Sequence, residues 1–157
     1  MGADLYIKDM DRDSQCTGFE VSERAVKVGY FRDCYNDYGL FNFIRSNVPS
    51  MKDEFSWWQM SSRYKKTWFD KDGDMTVEGA KAFRKLVMRA RRIIESKKLY
   101  QLLVYDHDAP KTSITDIKMK AIPLNKKDTE GFLSHLNLLV KFLNLAIEKN
   151  SPIEWSV

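Results

Sequence analysis

From Thr76 to Ser96 the apolar residues fall at intervals of three and four, and this stretch limits what the chain can fold into more than any other. Ala80, Phe83, Val87, Ala90 and Ile94 lie on one stripe of a helix, and Leu86 and Ile93 widen it. Thr76 stands where an N-cap belongs, so the spacing predicts a helix from about Val77 to Ser96. Such a helix must bury its stripe against other elements. The rest of the chain can supply them: 43% of the residues are hydrophobic and 13% are aromatic, which implies a core with a large aromatic share. A chain of 157 residues is long enough to close that core as one globular domain spanning residues 1–157.

The other elements are predicted from shorter signals. Residues 3–7 read as a strand, and residues 11–18 as a polar loop ending in Gly18. Ser22 caps a short helix to about Val28, which Gly29 stops. Asn36 or Asp37 caps a helix to about Ser46, whose packing face is Leu40, Phe41, Phe43 and Ile44. Ser56 caps another, carrying Trp57 and Trp58 and fading near Lys65. Residues 99–105 are compatible with helix or strand, while 113–122 alternate as a strand does, which suggests a hairpin over 99–122. Asp128 or Thr129 starts a long helix to about Lys149, apolar around most of its circumference and therefore central. The tail from Ile153 to Val157 is placed to pair with the first strand. The fold class expected is α+β, mainly α: a compact helical domain around the long C-terminal helix, with a small sheet from the termini, from residues 99–122, or from both.

Composition also bounds location and chemistry. The first ten residues lack the apolar run of a secretory signal, and no stretch approaches the ~18 apolar residues of a membrane span. Two cysteines, Cys16 and Cys34, are too few for a disulfide scaffold. A cytoplasmic protein with free thiols and no membrane association is the expectation. Cys34, His107 and His135 show no nucleophile or zinc spacing, and no phosphate loop appears, so no catalytic residue, metal ligand or cofactor is assigned. Asp70-Lys-Asp72-Gly73-Asp74 begins like a calcium loop. Its glycine is fourth where the loop needs it sixth, and the twelfth position is Lys81 in place of a bidentate Glu. The segment reads as a turn ahead of the Thr76 cap.

Two constellations remain. Residues 81–98 hold eight basic residues against one acid, Glu95, a local +7 in a chain whose net charge is +4. Lys81, Lys85, Arg89 and Arg92 share one side of the predicted helix, Arg84 and Arg91 another, and all six can clear the apolar stripe. Such a face attracts anions; it also reads as a charged solvent face whose stems cover the core. The second is Gly29 to Tyr38, where Arg32, Asp33, Asn36 and Asp37 stand among Tyr30, Phe31, Tyr35 and Tyr38. Arginine and aromatic planes can hold a base or nucleotide. The same residues can instead form a buried Arg–Asp network. Trp58, beside Trp57, reads as a core residue or a partner anchor.

Gly2-Ala-Asp-Leu-Tyr-Ile7, Gly29-Tyr-Phe-Arg-Asp33, Tyr35-Asn-Asp37 and Ser56-Trp-Trp58 together resemble a small-protein family associated with bacteriophages and prophages. The resemblance covers roughly the first 60 residues and weakens through the helix after Thr76; the sequence beyond residue 98 diverges. It implies a setting in which accessory proteins block or redirect host machinery, and it carries no catalytic residues. The functional expectation is a phage-type accessory protein, more a binder than an enzyme, directed at an anionic target: nucleic acid, a signalling nucleotide or an acidic host-protein surface. Countering host defence is one such role. Lys81, Lys85, Arg89, Arg92, Arg84, Arg91, Arg32, Tyr35 and Trp58 are its candidate binding residues. The alternatives are a small hydrolase or nuclease using Arg32, Asp33 and Asp37, and a virion or assembly component.

Overall fold

The computed structural model describes residues 2–10, 21–110 and 118–157. The loop read over 11–18 and the first part of the strand read over 113–122 lie outside those residues. The described chain runs β1 (Gly2–Ile7), α1 (Glu23–Lys27), β2 (Tyr30–Cys34), α2 (Leu40–Asn47), a single 3-10 turn (Pro49–Met51), α3 (Trp57–Arg63), α4 (Val77–Glu95), β3 (Gln101–Tyr105), β4 (Met119–Pro123), α5 (Lys126–Glu148) and β5 (Ile153–Ser156). This is an α+β fold, mainly α, with its long C-terminal helix in place.

Both sheets are small and antiparallel. In the first, β1 lies between β2 and β5, with Leu5 opposite Phe31 on one side and Trp155 on the other. Alternation along β1 sends Ala3, Leu5 and Ile7 into the core and leaves Asp4 and Tyr6 on the outer face. The tail after α5 therefore closes on the first strand, as its pattern predicts. Met75 extends this sheet by a two-way backbone bridge to Ile153 (2.9 Å each way). The second sheet is the hairpin β3–β4, with Leu103 opposite Ala121, so residues 101–105 are strand.

Among the described residues β3 has no strand on its other side, and α2 takes that place with side chains. Ser46 Oγ accepts the Leu103 N–H at 2.9 Å, and Asn47 Oδ1 accepts the Gln101 N–H at 3.0 Å. The amides of Asn47 and Asn42 donate to the carbonyls of Gln101 and Leu103, each at 2.9 Å, and Asp37 Oδ2 accepts the Tyr105 N–H at 2.9 Å. The N–H and carbonyl of 101 and 103 and the N–H of 105, which alternation turns away from β4, are thus satisfied by a polar row of which Asn42, Ser46 and Asn47 are buried. The opposite face of α2, with Leu40, Phe43 and Ile44, enters the core.

Two helix starts differ from the sequence reading. α2 begins at Leu40 with Gly39 at the N-cap, not with Asn36 or Asp37 there. Its free N–H groups are met by Asp33, whose Oδ1 accepts from Leu40 N (2.8 Å) and whose Oδ2 accepts from Phe41 N (3.2 Å). Asp37 instead serves β3. α5 begins at Lys126, because Asn125 supplies the cap, accepting the Asp128 N–H at 2.8 Å; Asp128 and Thr129 are already in its first turn. α3 ends at Arg63, and Ser56 precedes it without a side-chain capping bond. Ser22 and Thr76 cap α1 and α4 as read, accepting from Ala25 N and Gly79 N.

The core is one cluster joining the helices to both sheets. Its centre is aromatic: Trp57 stacks on Phe41 (3.7 Å, 3°), Phe43 on Phe132 (4.6 Å, 1°), and Trp155 meets Trp57, Phe69 and Phe83 at 5.1–6.0 Å. Of the paired tryptophans, Trp57 is core and Trp58 is 61% exposed. No described helix is long and apolar enough to cross a membrane.

Candidate anion-binding surface

α4 presents its apolar stripe inward: Ala80, Phe83, Val87, Ala90 and Ile94 are fully buried. The backbone of a helix 19 residues long then carries the cations outward in three rows. Lys81 stands at the N-terminal end, half-buried and paired with Glu78 at 3.0 Å. Lys85, Arg89 and Arg92 are exposed and make no ion pair among the described residues. Arg84 and Arg91 are turned sideways onto α5.

Helical spacing sets Arg84 and Arg91 on a side of their own, apart from the other four, and the structure turns that side toward α5. Arg84 Nη1 donates to Asn144 Oδ1 at 2.9 Å, and Arg91 Nη1 to Asn137 Oδ1 at 3.2 Å. Both pairs are spaced by seven residues on their own helix and run in opposite senses, which fixes α4 and α5 as antiparallel neighbours. Between them lies a groove of about 650 Å³ with Met88 and Val140 in its floor and Lys141 on its far wall. Glu95 approaches Arg91 only to 3.8 Å, and Lys141 is paired with Glu23 at 2.9 Å. The Lys141 ammonium, by hydrogen bond and charge, holds the Glu23 carboxyl below the usual range. Among the described residues Arg84 has an amide oxygen, and no carboxylate, as its partner.

Asn137, Asn144 and Lys141 were not among the residues singled out from sequence. They lie on the narrow polar strip of α5 formed by Ser134, Asn137, Lys141, Asn144 and Glu148, all exposed; the other residues from Phe132 to Ile147 are apolar except His135. The equal spacing of Arg84/Arg91 and Asn137/Asn144 is the signal that marks them.

The second constellation does not assemble. Arg32 Nη1 donates to both carboxylate oxygens of Asp4 (2.7 and 2.9 Å), and Tyr30 donates its hydroxyl to Asp4 Oδ1 at 2.5 Å. Burial and the Asp4 hydrogen bond push the Tyr30 hydroxyl far above its ordinary pKa. Burial opposes the charge of Arg32, but the bonds to Tyr30 and Asp4 outweigh it and raise its pKa. Asp33 points to the opposite face of β2, is 1% exposed, and also accepts from Cys34 N (2.9 Å) and Trp57 Nε1 (2.7 Å). Asp37 serves β3. Arg32, Asp33 and Asp37 therefore occupy three separate settings, not one cleft. Tyr35 and Trp58 do meet, with ring centroids 4.6 Å apart, and leave the outer face of Trp58 to solvent.

The remaining candidates have local explanations. Burial, then the charge of Asp33, pushes the Cys34 thiol up, which disfavours the thiolate. His135 Nε2 bonds the Arg32 carbonyl at 2.8 Å while its ring lies 5.1 Å from that of Phe31, so it closes the edge of β2. In the acidic turn, Asp70 Oδ1 accepts from Asp72 N and Asp74 N (2.9 and 3.1 Å), Gly73 takes φ +81°, and Asp74 binds Lys8 at 2.7 Å. Among the described residues no three of His, Cys, Asp and Glu gather as a metal site would require. A cavity of about 690 Å³ lies apart from the ridge, walled by Leu102, Ile122, Leu124 and Phe132, with His135 and Tyr38 at its edge. No protein-family model, curated protein or solved structure matches the chain.

Proposed function

We propose that this chain is a non-enzymatic, phage-type accessory protein that acts by binding an anionic target through the outer face of α4. One observation carries the reading: Lys85, Arg89 and Arg92 stand exposed on a helix of 19 residues without acidic partners among the described residues. A solvated face kept only for solubility ordinarily mixes its signs, so that neighbours at i+3 and i+4 attract. Here Lys81, Lys85, Arg89 and Arg92 follow one another at those spacings and repel, with acids, Glu78 and Glu95, only beyond the two ends of the row, a cost that an anionic ligand would remove. The resemblance in the first 60 residues supports a host-directed role in the host cytoplasm, countering defence by occupying nucleic acid or an acidic host protein. The test is retention on immobilised heparin, a generic polyanion. The wild type is expected to elute at clearly higher salt than a Lys85→Ala/Arg89→Ala/Arg92→Ala variant of unchanged circular dichroism. Elution of the two at the same salt would sink the proposal.

A further inference from the structure

We infer that the anionic partner is a duplex nucleic acid held by its phosphate backbone, with Arg84 and Arg91 in the α4–α5 groove as fixed phosphate contacts. The inference rests on α4 being an anion-binding surface and names what that surface takes.

The arrangement argues against a single small anion. Lys81 and Arg92 stand about 16 Å apart along the axis at 1.5 Å per residue. Arg84 and Arg91 stand about 10 Å apart by the same measure. A nucleotide needs donors that converge on one or two phosphoryl groups, whereas these cations are strung along a line. A duplex offers the complement, one negative charge per ~1.7 Å of its axis.

The surface also lacks what the other polymers need. Single strands are usually gripped by aromatic side chains on which bases stack. The only aromatic residue in α4 is Phe83, fully buried, and the groove wall from α5 offers Asn137, Val140, Lys141 and Asn144. Protein partners are usually anchored by a buried aromatic or aliphatic cluster. Outside the core stripe, α4 offers Met88, half-buried in the groove, and Ile93, 37% exposed. A stacked duplex asks for neither.

The groove residues make this more than a diffuse field. A structural arginine is ordinarily matched by a carboxylate. Here the hydrogen-bond partners of Arg84 and Arg91 are amide oxygens, which orient the guanidinium planes without neutralising them; Glu95 comes no nearer to Arg91 than 3.8 Å. Each bond uses one of five N–H donors, and the others remain for a phosphate. The acids on α4 and on the facing strip of α5 are Glu78, Glu95 and Glu148; with Glu23 they are set against Lys81, Arg84, Lys85, Arg89, Arg91, Arg92 and Lys141, so the surface keeps a net excess of three cations.

The experiment is fluorescence anisotropy on four probes: a mixed-sequence DNA duplex of about 20 base pairs, the RNA duplex of the same sequence, the DNA single strand and polyglutamate. Salt is varied from about 50 to 200 mM, the range over which phosphate contacts show their steepest loss. At least one duplex is expected to bind about tenfold or more tighter than the single strand and polyglutamate, and the two duplex arms show whether B-form or A-form is taken. Arg84→Gln/Arg91→Gln is expected to weaken duplex binding about tenfold and to lower the salt slope by about two. Asn137→Asp/Asn144→Asp keeps both arginines and gives each a carboxylate. It should reproduce the loss of binding with thermal stability held or raised, a result that a purely structural role for these arginines does not predict. Polyglutamate or single strand bound as tightly as either duplex would overturn the inference, as would wild-type binding by the aspartate variant. So would heparin retention with no binding to either duplex, which leaves the broader reading standing; loss of heparin retention removes both.

Discussion

Asp33 sits at the junction of three elements, and its carboxylate is the point at which they agree. Oδ1 accepts from Cys34 N and Leu40 N, and Oδ2 from Phe41 N and Trp57 Nε1, so β2, α2 and α3 are all tied to one buried group. The charge is stabilised by four donors and by the positive end of α2. Asp33→Asn keeps the shape, but an amide has one accepting oxygen, so two of the donors would face an NH₂ group. Charge-assisted bonds contribute ~1.5–3 kcal/mol each, and buried donors left unpaired cost ~1–3 kcal/mol. The substitution is therefore expected to lower unfolding stability by about 3–5 kcal/mol in a urea titration. A loss below ~1 kcal/mol would mean that water reaches the site and that Asp33 is not the tie described.

At the scale of elements, glycines separate what propensity alone cannot. Gly79 and Gly131 both lie inside helices, where glycine costs ~0.5–1 kcal/mol relative to alanine. A Cβ at Gly79 would stand 2.2 Å from the Trp68 carbonyl oxygen, whereas one at Gly131 would meet nothing within 4 Å. Gly131→Ala is expected to stabilise by ~0.5–1 kcal/mol, and Gly79→Ala to destabilise by more than its propensity gain, both read from denaturant midpoints. Equal signs for the two would refute the steric account of Gly79. The same division explains what was legible in the sequence. α1 announces itself because its cap, Ser22, and its stop, Gly29, lie within a few residues of one another, and α4 because a sustained apolar period follows directly on its Thr76 cap. The start of α2 was misplaced because its capping carboxylate, Asp33, belongs to the preceding strand. In the candidate site, the outward Lys85, Arg89 and Arg92 follow from helical spacing. The partners of Arg84 and Arg91 lie 60 and 46 residues away, and only the packing of α4 on α5 brings them together.

At the scale of the whole molecule, the question is whether the terminal sheet and the helices unfold as one body. Trp155 is where they meet. Its strand pairs with β1 through Leu5, and its ring touches Trp57 of α3, Phe83 of α4 and Phe69 ahead of the acidic turn. Its indole Nε1 is buried without a hydrogen-bond partner among the described residues, so what Trp155 contributes is contact area and ring geometry. If the clustered core acts as a single cooperative unit, cutting this seam weakens every element together. Trp155→Ala is expected to cost about 3–5 kcal/mol, as large aromatic truncations in cores do. Its transition should still be single, with helix content by far-UV circular dichroism and the emission of the remaining tryptophans, Trp57, Trp58 and Trp68, sharing one lowered midpoint. Separate midpoints would show that the sheet of the two termini melts apart from the helices. The ridge on α4 would then stand on a subdomain that survives without β5, and its anion binding would outlast the first transition; coincident loss of binding and helix signal is the expected outcome, because α4 is held from below by the same aromatic cluster that holds β5.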